Sequence, residues 1–383
     1  MKKFLLYLIE KILFNFLCRL VPQKKDLLLF GSGFKRFSGN SKFLFEHYSN
    51  TNIEYESYWI SEDKNEARQI REMGFKCSYK WNLKTVFLVL RAKVIIISHN
   101  IKDVFPFITR RTSVINLWHG TPIKTIGFDS KKERVWIDKY IQEKRVLPYE
   151  KWDYFITASE NLNDIFSKAM KLEESKIKGL GLPRTQIIYN YLNDKKNQNE
   201  IDNRFDEVYK VDSKLKILYT PTFRNDETST LKIKETLLYI NQNIKKENNA
   251  VLLFKPHPLD KEIFDMTFFN TLENIIDVSS YDTQELLCVS DVLITDYSSI
   301  MFDFMITDKP IISYIFDLNN YINQNGDLYF SFERLKTNIA KNKEELLGFI
   351  LNKNELRNEY DPYEFNMMNS CERIESFINE LNN

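Results

Sequence analysis

The residues best suited to chemistry lie in one short segment, LWHGTPIKTIGFD at 117–129. His119 follows an apolar run at 113–117 that is typical of a β-strand, and Lys124 comes five residues after it. Gly120 lets the backbone turn sharply without a Cβ clash. The pattern predicts that His119 lies at the carboxyl end of a strand, where open α/β sheets bind their ligands. Because an imidazole titrates near neutral pH, His119 is a candidate base for taking a proton from a hydroxyl group.

Three further polar loops each follow a short apolar run: YTPTFR at 219–224, KPHP at 255–258 and DYSSIMFD at 296–303. Their lysine and arginine side chains supply charge and donors for phosphate, while hydroxyls and the N–H groups at a helix start supply neutral donors. Asp296 is expected to orient its own loop as a helix N-cap rather than to bind a metal. The four loops predict a site for an anionic, hydroxylated ligand. Its candidate residues are His119, Lys124, Thr220, Thr222, Arg224, Lys255, His257, Asp296, Ser298 and Ser299.

The elements that must position these loops alternate between short apolar runs and longer amphipathic segments. This alternation predicts mainly parallel sheets with helices on both faces. A polar stretch at 190–214 is interpreted as the connection between two such domains, whose loops face a shared cleft. The candidate strands are 27–30, 55–60, 93–98, 113–117 and 154–158 in the first domain, and 216–218, 251–254, 275–278, 292–295 and 310–314 in the second.

Length and composition exclude several classes of protein. A chain of 383 residues predicts two domains, and a net charge of +1 argues against a nucleic-acid-binding protein, which normally has a strong basic excess. The four cysteines, at positions 18, 77, 288 and 371, form no CxxC pair, so they indicate neither a disulfide framework nor a zinc site. The four histidines show no metal-binding spacing.

The amino-terminal residues 1–22 are strongly apolar, with charged residues interspersed. The apolar stretch is too short to span a bilayer, and it lacks the features of a secretory signal. An amphipathic helix lying on the cytoplasmic leaflet of the membrane fits this pattern, and a helix packed on the protein's own core is the alternative. The apolar face of that helix consists of Leu5, Leu6, Ile9, Ile12, Leu13, Phe16, Leu17 and Leu20.

The motifs HGTPIK, GLPR, TPTFR, KPHP and DYSS, in this order, resemble those of the CDP-glycerol glycerophosphotransferases of teichoic-acid and capsule synthesis. The resemblance implies a GT-B-like α/β fold, with two Rossmann-like domains facing a central cleft. The predicted divisions are a membrane-interface helix at 1–22, a domain carrying the base and the acceptor at 23–195, a CDP-donor domain at 196–365, and a carboxyl-terminal helix at 366–383 that packs back on the first domain.

The same resemblance implies an activity and a place in the cell. A polyol phosphate would pass from CDP-glycerol or CDP-ribitol to a hydroxyl of a lipid-linked or polymeric acceptor, with release of CMP, in a peripheral enzyme on the cytoplasmic side of the cell membrane. By resemblance, His119 is the catalytic base and His257 the second catalytic histidine. Lys124 and Asp129 are assigned to the acceptor, although Lys124 also fits a solvated helix residue. The donor phosphates are assigned to Thr220, Thr222, Arg224, Lys255, Asp296, Ser298 and Ser299.

The chain departs from the family pattern at 325–330, where NGDLYF replaces a common arginine–glycine–aromatic–aspartate element. Two other functions stay open at this stage: a nucleotide-sugar glycosyltransferase of the same fold, and a non-catalytic protein that binds anionic polymer at the membrane. No DxD-type metal motif is evident. The positive charge that offsets the donor phosphates is expected either from the lysine and arginine side chains or from a bound Mg²⁺ ion.

Overall fold

The computed structural model describes residues 12–382 except 13, 15, 34–35, 52–53, 144, 212–213, 225, 245–248, 261–262, 265 and 362–363. The helices are α1 (16–20), α2 (Gly39–Thr51), α3 (Lys64–Glu72), α4 (Leu83–Arg91), α5 (Lys131–Gln142), α6 (Asn163–Met170), α7 (Gln186–Asn193), α8 (Lys195–Tyr209), α9 (Glu227–Asn243), α10 (Met266–Phe269), α11 (Thr283–Val289), α12 (Ile300–Met305), α13 (Leu318–Asn325), α14 (Lys343–Leu351) and α15 (Ser370–Asn382). The strands are β1 (Lys24–Phe30), β2 (Glu56–Ser61), β3 (Cys77–Tyr79), β4 (Ala92–Ile97), β5 (Ser113–Asn116), β6 (Tyr154–Ile156), β7 (Ile177–Lys178), β8 (Leu215–Tyr219), β9 (Ala250–Phe254), β10 (Ile275–Asp277), β11 (Val292–Thr295), β12 (Ile311–Tyr314) and β13 (Asn338–Ala340).

The first compact unit, unit 1, comprises Met1–Gly120, Arg134–Gln186 and Met367–Asn383. Its parallel sheet has the strand order β3-β2-β1-β4-β5-β6-β7. Leu28 of β1 is paired with Ser57 of β2 and Val94 of β4, and the apolar side chains of these strands are fully buried. Near-continuous apolar strands of this kind are typical of a parallel sheet covered on both faces.

The predicted carboxyl-terminal helix is α15, which packs against α2 within unit 1. His47 Nε2 lies 2.6 Å from a carboxylate oxygen of Glu375. The Tyr55 hydroxyl donates to Asn379 at 2.7 Å. The end of the chain therefore completes the packing around the first strands of the sheet.

The second compact unit, unit 2, comprises Thr121–Glu133 and Ile187–Asn366. Its six parallel strands have the order β10-β9-β8-β11-β12-β13, which is the order of a doubly wound nucleotide-binding sheet. Buried side chains from neighbouring strands, including Ile217, Leu252, Ile294 and Ile312, form its core. The prediction of two parallel α/β domains is confirmed.

Unit 2 differs from the predicted second domain in two places. The segment 121–133 belongs to it, although it was assigned to the first domain. The polar stretch at 190–214, interpreted as a connection, forms the second half of α7 and all of α8. Ile201 and Phe205 anchor α8, because both are buried and the Phe205 ring lies 5.4 Å from that of Tyr281. The Tyr191 hydroxyl, which donates to Asp202 at 2.8 Å, also joins α8 to α7.

Candidate functional site

His119 stands in a tight turn just after β5 in unit 1. Trp118 and Gly120, on either side of it, have φ angles of 53° and 142°, a backbone region that glycine tolerates and a tryptophan rarely adopts. The Trp118 N–H donates to the Asn116 side chain at 2.7 Å, which stabilises the turn. The His119 side chain is exposed at the carboxyl end of the strand, where the sequence places it.

Two polar side chains hold the main chain around His119. Buried Asn40 donates through Nδ2 to the carbonyl oxygens of Leu117 and Trp118 at 3.1 and 2.9 Å, and accepts from the Arg184 N–H at 3.1 Å. The Arg184 guanidinium donates to the His119 carbonyl at 2.7 Å. The GLPR motif is thus bound to the HGTPIK loop. The sequence analysis did not predict a role for Asn40. The only indication in the sequence is an amide side chain in the first turn of a helix.

A second histidine lies against His119. The His99 and His119 rings are stacked, with centroids 4.4 Å apart and planes 5° apart. Burial lowers the pKa of His99 to about 4, so this ring is neutral at physiological pH. The carboxylate of Asp103 braces the same loop by accepting from the N–H groups of Ser98 and His99. The ring stacked against His119 is therefore uncharged.

The chain enters unit 2 directly after Gly120, so Lys124 and Asp129 belong to the unit that carries the predicted donor loops. Lys124 is bridged to Leu328 in antiparallel fashion. The Thr125 N–H donates to Asp327 O at 2.9 Å, and the Tyr329 N–H donates to Ile123 O at 2.8 Å. The Tyr329 hydroxyl donates to Asp129 at 2.8 Å. The element that departs from the family pattern therefore anchors the second half of the HGTPIK segment.

Lys124 interacts electrostatically with two predicted site residues. Burial lowers its pKa, and the nearby carboxylate of Asp296 acts in the opposite direction. Burial also lowers the pKa of His257, and the positive charge of Lys124 lowers it further. The Lys124 ammonium lies 5.9 Å from the Tyr321 ring centroid. These contacts place Lys124 with the predicted donor residues rather than in a solvated helix.

Arg224 is the centre of a buried ion-pair cluster in unit 2. Its guanidinium donates to Asp317 through Nε at 2.6 Å and to Asp296 through Nη2 at 2.8 Å. Although burial opposes its charge, the two carboxylates raise the pKa of Arg224 above its usual value. The stacked rings of Tyr297 and Tyr321 each lie 5.0 Å from the guanidinium carbon. Arg224 is therefore a neutralised structural cation with little surface for a ligand.

Asp296 does not cap a helix, which corrects the expectation from the sequence. The N-cap position of α12 is Ser299, whose own side chain makes no capping hydrogen bond, and the Ser298 hydroxyl accepts from the Ile300 N–H at 3.4 Å. Asp296 instead accepts from the Thr222 N–H at 3.0 Å, from the Thr222 hydroxyl and from the Tyr297 N–H at 2.6 Å. It ties the TPTFR loop to the DYSS loop at the point where the strand order reverses, between β8 and β11.

The sequence profile of the CDP-glycerol:poly(glycerophosphate) glycerophosphotransferases matches residues 13–370. The chain belongs to this family. The resemblance inferred from the five motifs is thereby confirmed.

This glycerophosphotransferase is similar to teichoic acid poly(glycerol phosphate) polymerases. It is 30% identical to that of Bacillus spizizenii over 324 residues, which are 82% of this chain and 80% of the relative. It is 27% identical to that of Bacillus subtilis over 337 residues, 85% of this chain but only 43% of the longer relative. A solved structure of the wall teichoic acid polymerase TagF superposes with a TM-score of 0.77 at 21% identity, covering 98% of this chain and 95% of that one. This likeness supports the GT-B-like fold.

Lys255 was predicted to contact the donor phosphates, and in the structure its ammonium group contacts main-chain carbonyls. Its ammonium donates to the carbonyl oxygens of Ser279 and Tyr281 at 3.1 and 2.7 Å, and more weakly to that of Val278 at 3.5 Å. These bonds join the end of β9 to the loop after β10. The structure gives Lys255 a role in holding the loop after β10, which differs from the predicted contact with a diphosphate.

The hydroxyl residues of the glycerophosphotransferase divide into two kinds. Thr220 is almost fully buried at the end of β8, where its N–H donates to Ile294 O at 3.0 Å. Ser298 and Ser299 are half-buried at the turn before α12. Among the described residues, no group of three or more His, Cys, Asp or Glu side chains is arranged to hold a metal ion. The two serines thus remain the hydroxyl candidates for a ligand.

Missing from the predicted set is Asp317, which lies three residues after the end of β12, whereas Asp296 directly follows β11. It accepts from Arg224 and from the Tyr297 hydroxyl, at 2.9 Å for the latter. A single acidic residue after a strand was its only signal, and this signal is weak because such residues are common in turns.

Proposed function

We propose that this glycerophosphotransferase transfers glycerol phosphate, or ribitol phosphate as the alternative polyol, from a CDP-activated donor to a hydroxyl of a lipid-linked or polymeric acceptor and releases CMP. The observation that carries the proposal is the family match over residues 13–370. The product would be a teichoic-acid-like or capsular polymer. The mechanism is in-line attack of the acceptor oxygen on the β-phosphorus, for which positioning and charge stabilisation supply most of the rate.

In unit 1, His119 takes the proton of the attacking hydroxyl. Its exposed side chain can approach a substrate, while Asn40 and Arg184 hold its main chain from two sides. The stacked ring of His99 fixes the plane of the imidazole. A base held in one orientation does not have to be ordered again in each reaction, which favours catalysis.

In unit 2, the donor diphosphate is bound by Lys124, His257 and the serines before α12. Lys124 combines a positive charge with electrostatic proximity to His257 and Asp296. This moves Lys124 from the acceptor, where the sequence assigned it, to the donor. The charge that develops on the leaving CMP is offset by the same ammonium group. Arg224 contributes by holding the TPTFR and DYSS loops together rather than by contacting phosphate.

The test is a screen of donors with the purified full-length chain and a glycerol-phosphate acceptor. Release of CMP from CDP-glycerol or CDP-ribitol is the expected result. Release of UDP from a UDP-sugar would instead identify a glycosyltransferase, and release from no donor would identify a binding protein. Each reaction is run with Mg²⁺ and with EDTA. We expect the positive charge of Lys124 and the neutral hydrogen-bond donors beside it to support turnover without the metal, and loss of turnover in EDTA would contradict this.

We also propose that unit 1 binds the cytoplasmic leaflet as a peripheral protein. Residues 1–11 of the predicted interfacial helix lie outside the described part of the chain. Within the described part, Ile12, Phe16 and Leu20 form one exposed row, whereas Phe14 and Cys18 on another side are buried. The helix thus packs through one face and presents a second apolar face, as an interfacial helix requires. No described helix is long and apolar enough to cross a bilayer.

A second exposed apolar group lies in the same unit. Trp81, Leu83 and Phe87, in and before α4, are exposed. Arg111 links the two groups, because its guanidinium donates to Val21 O at 3.0 Å at the end of α1 and to Leu90 O at 3.5 Å near the end of α4. The rings of Phe14 and Trp81 also both lie beside Phe105, with centroids 6.1 and 5.9 Å away. The proposal treats the exposed apolar side chains of the two helices as one membrane contact.

A double substitution tests this surface. Phe16→Glu with Leu83→Glu is expected to abolish sedimentation with phosphatidylglycerol vesicles, because it places two negative charges at the membrane contact. The matched control is Val208→Glu with Leu238→Glu, two exposed apolar residues of unit 2 that carry the same charge change. Sedimentation of the first variant at the wild-type level would overturn the membrane proposal.

A further inference from the structure

A cavity of about 770 Å³ in unit 2 has no role in the reaction described so far. It lies at the carboxyl ends of β12 and β13 and beside the start of α9. The walls come from 315–320 after β12, Lys341 after β13, and the side chains of Asp226 and Lys232 around the first turns of α9. It adjoins the Arg224 cluster, because Asp317 both lines the cavity and pairs with Arg224.

The charges in this cavity favour an anion. Lys232 and Lys341 are exposed side chains on separate elements, and Lys232 Nζ lies 6.0 Å from the ring of Phe316. The two carboxylates of the wall have different partners. Asp317 is paired with Arg224, whereas Asp226 caps α9 through one oxygen, which accepts from the Ser229 N–H at 2.7 Å, and its other oxygen has no hydrogen-bond partner among the described residues. The two ammonium groups therefore outnumber the one carboxylate of the wall that is not paired with a cation.

The amino terminus of α13 also lies at this cavity. The first residues of α13, which include Asn319 and Asn320, line the cavity. The N-cap residue of α13 is Asp317, but its side chain does not cap the helix because it is held by Arg224 and Tyr297. The first N–H groups of a helix carry a partial positive charge, and an anion is a natural partner for them when no side chain caps the helix.

The neutral groups of the wall match a hydroxylated ligand. Thr228 and Ser229 on one side, and Asn319, Asn320 and Gln324 on another, offer hydroxyl and amide groups that both donate and accept. A polyol phosphate chain repeats an anionic phosphodiester and a short hydroxylated carbon chain. Cations on separate walls with amides and hydroxyls between them are suited to such a repeat.

We propose that this cavity binds phosphodiester and polyol groups of the acceptor chain, at least one unit away from the hydroxyl that reacts. The inference rests on the proposed function, since that function supplies a polyol phosphate acceptor. It assigns part of acceptor recognition to the donor-side unit, and it makes transfer depend on acceptor length. A longer acceptor reaches the cavity, whereas a short one reacts without using it.

The experiment compares synthetic glycerol phosphate oligomers of two and ten units as acceptors. The variant is Lys232→Glu with Lys341→Glu. We expect the KM for the ten-unit acceptor to rise by about tenfold or more, since two attractive charges become repulsive. The KM for the two-unit acceptor and for CDP-glycerol is expected to stay within about twofold of wild type. Affinity for the ten-unit oligomer is also measured without donor, so that binding is read independently of turnover.

The control is Lys195→Glu with Lys353→Glu, two exposed lysines of unit 2 outside the cavity wall that give the same change in net charge. An equal effect in this control would show a general charge effect and overturn the proposal. A raised KM for CDP-glycerol with unchanged acceptor constants would overturn it in favour of a nucleotide site. If neither the wild-type protein nor any variant releases CMP, the proposed function fails. Weakened binding of the ten-unit oligomer in the cavity variant alone would still support the cavity as its binding site.

Discussion

Replacement of His119 by asparagine is expected to lower kcat for CMP release by a hundredfold to ten-thousandfold, the range that a lost general base costs. Binding of CDP-glycerol, measured by titration calorimetry, is expected to be unchanged because the predicted donor residues lie in unit 2. Stability is also expected to be unchanged. The His119 side chain is exposed, and its contact with Arg184 uses the main-chain carbonyl that the variant retains.

The matched control for this substitution is His47→Asn in the same unit. His47 bonds to Glu375 where α2 meets α15, so its loss is expected to lower stability and leave kcat of the folded protein near wild type. A His119→Asn enzyme that keeps kcat within about threefold of wild type would remove His119 as the base.

Replacement of Arg224 by methionine is expected to destabilise unit 2 by about 3 to 5 kcal/mol, because it leaves two buried carboxylates without their cation. Asp296 and Asp317 are 1% and 9% exposed. The five tryptophans, 59, 81, 118, 136 and 152, all lie in unit 1, so their fluorescence reports that unit alone. In urea, circular dichroism should show an early loss of helix in the variant while the tryptophan transition stays near its wild-type midpoint.

Two further variants test whether the loss of stability comes from the unpaired buried carboxylates or from the loss of any arginine. Arg224→Met combined with Asp296→Asn and Asp317→Asn is expected to recover part of the loss, since no uncompensated charge remains. Arg204→Met removes an exposed arginine that pairs with Glu285 in the same unit, and it is expected to cost less than about 1 kcal/mol. A dichroism transition of Arg224→Met at the wild-type position would contradict the structural role of the cluster.

The sequence predicts the strands of both sheets wherever several apolar residues run together. The strands it misses are β3, β7 and β13, which have only two or three residues with a polar residue among them, whereas β6 is equally short but apolar throughout and was predicted. The parallel arrangement of the strands follows from the β/α alternation. The assignment of 121–133 to unit 2 does not follow from any local pattern, because that segment is held by pairing with residues far away in the sequence.

At the site, the residue types at strand ends were predictable and their partners were not. His119 is found where the sequence placed it, at the end of β5. Arg224 and Lys255 were expected on phosphate because their charge suits it, yet each is engaged by oxygen atoms of the protein itself. The partner of Arg224, Asp317, is 93 residues further along the chain. No local pattern connects two residues at that distance.

The antiparallel pairing between 123–125 and 327–329 bears on the construction of hybrid enzymes. Its hydrogen bonds join main-chain atoms, so most side chains of this stretch can be exchanged with those of a relative without releasing Lys124. Gly326 is the exception, since its φ of +96° is strained for any other residue and an added Cβ would lie 3.3 Å from the Thr125 hydroxyl. A graft that preserves this glycine is therefore a practical way to exchange specificity elements between members of the family.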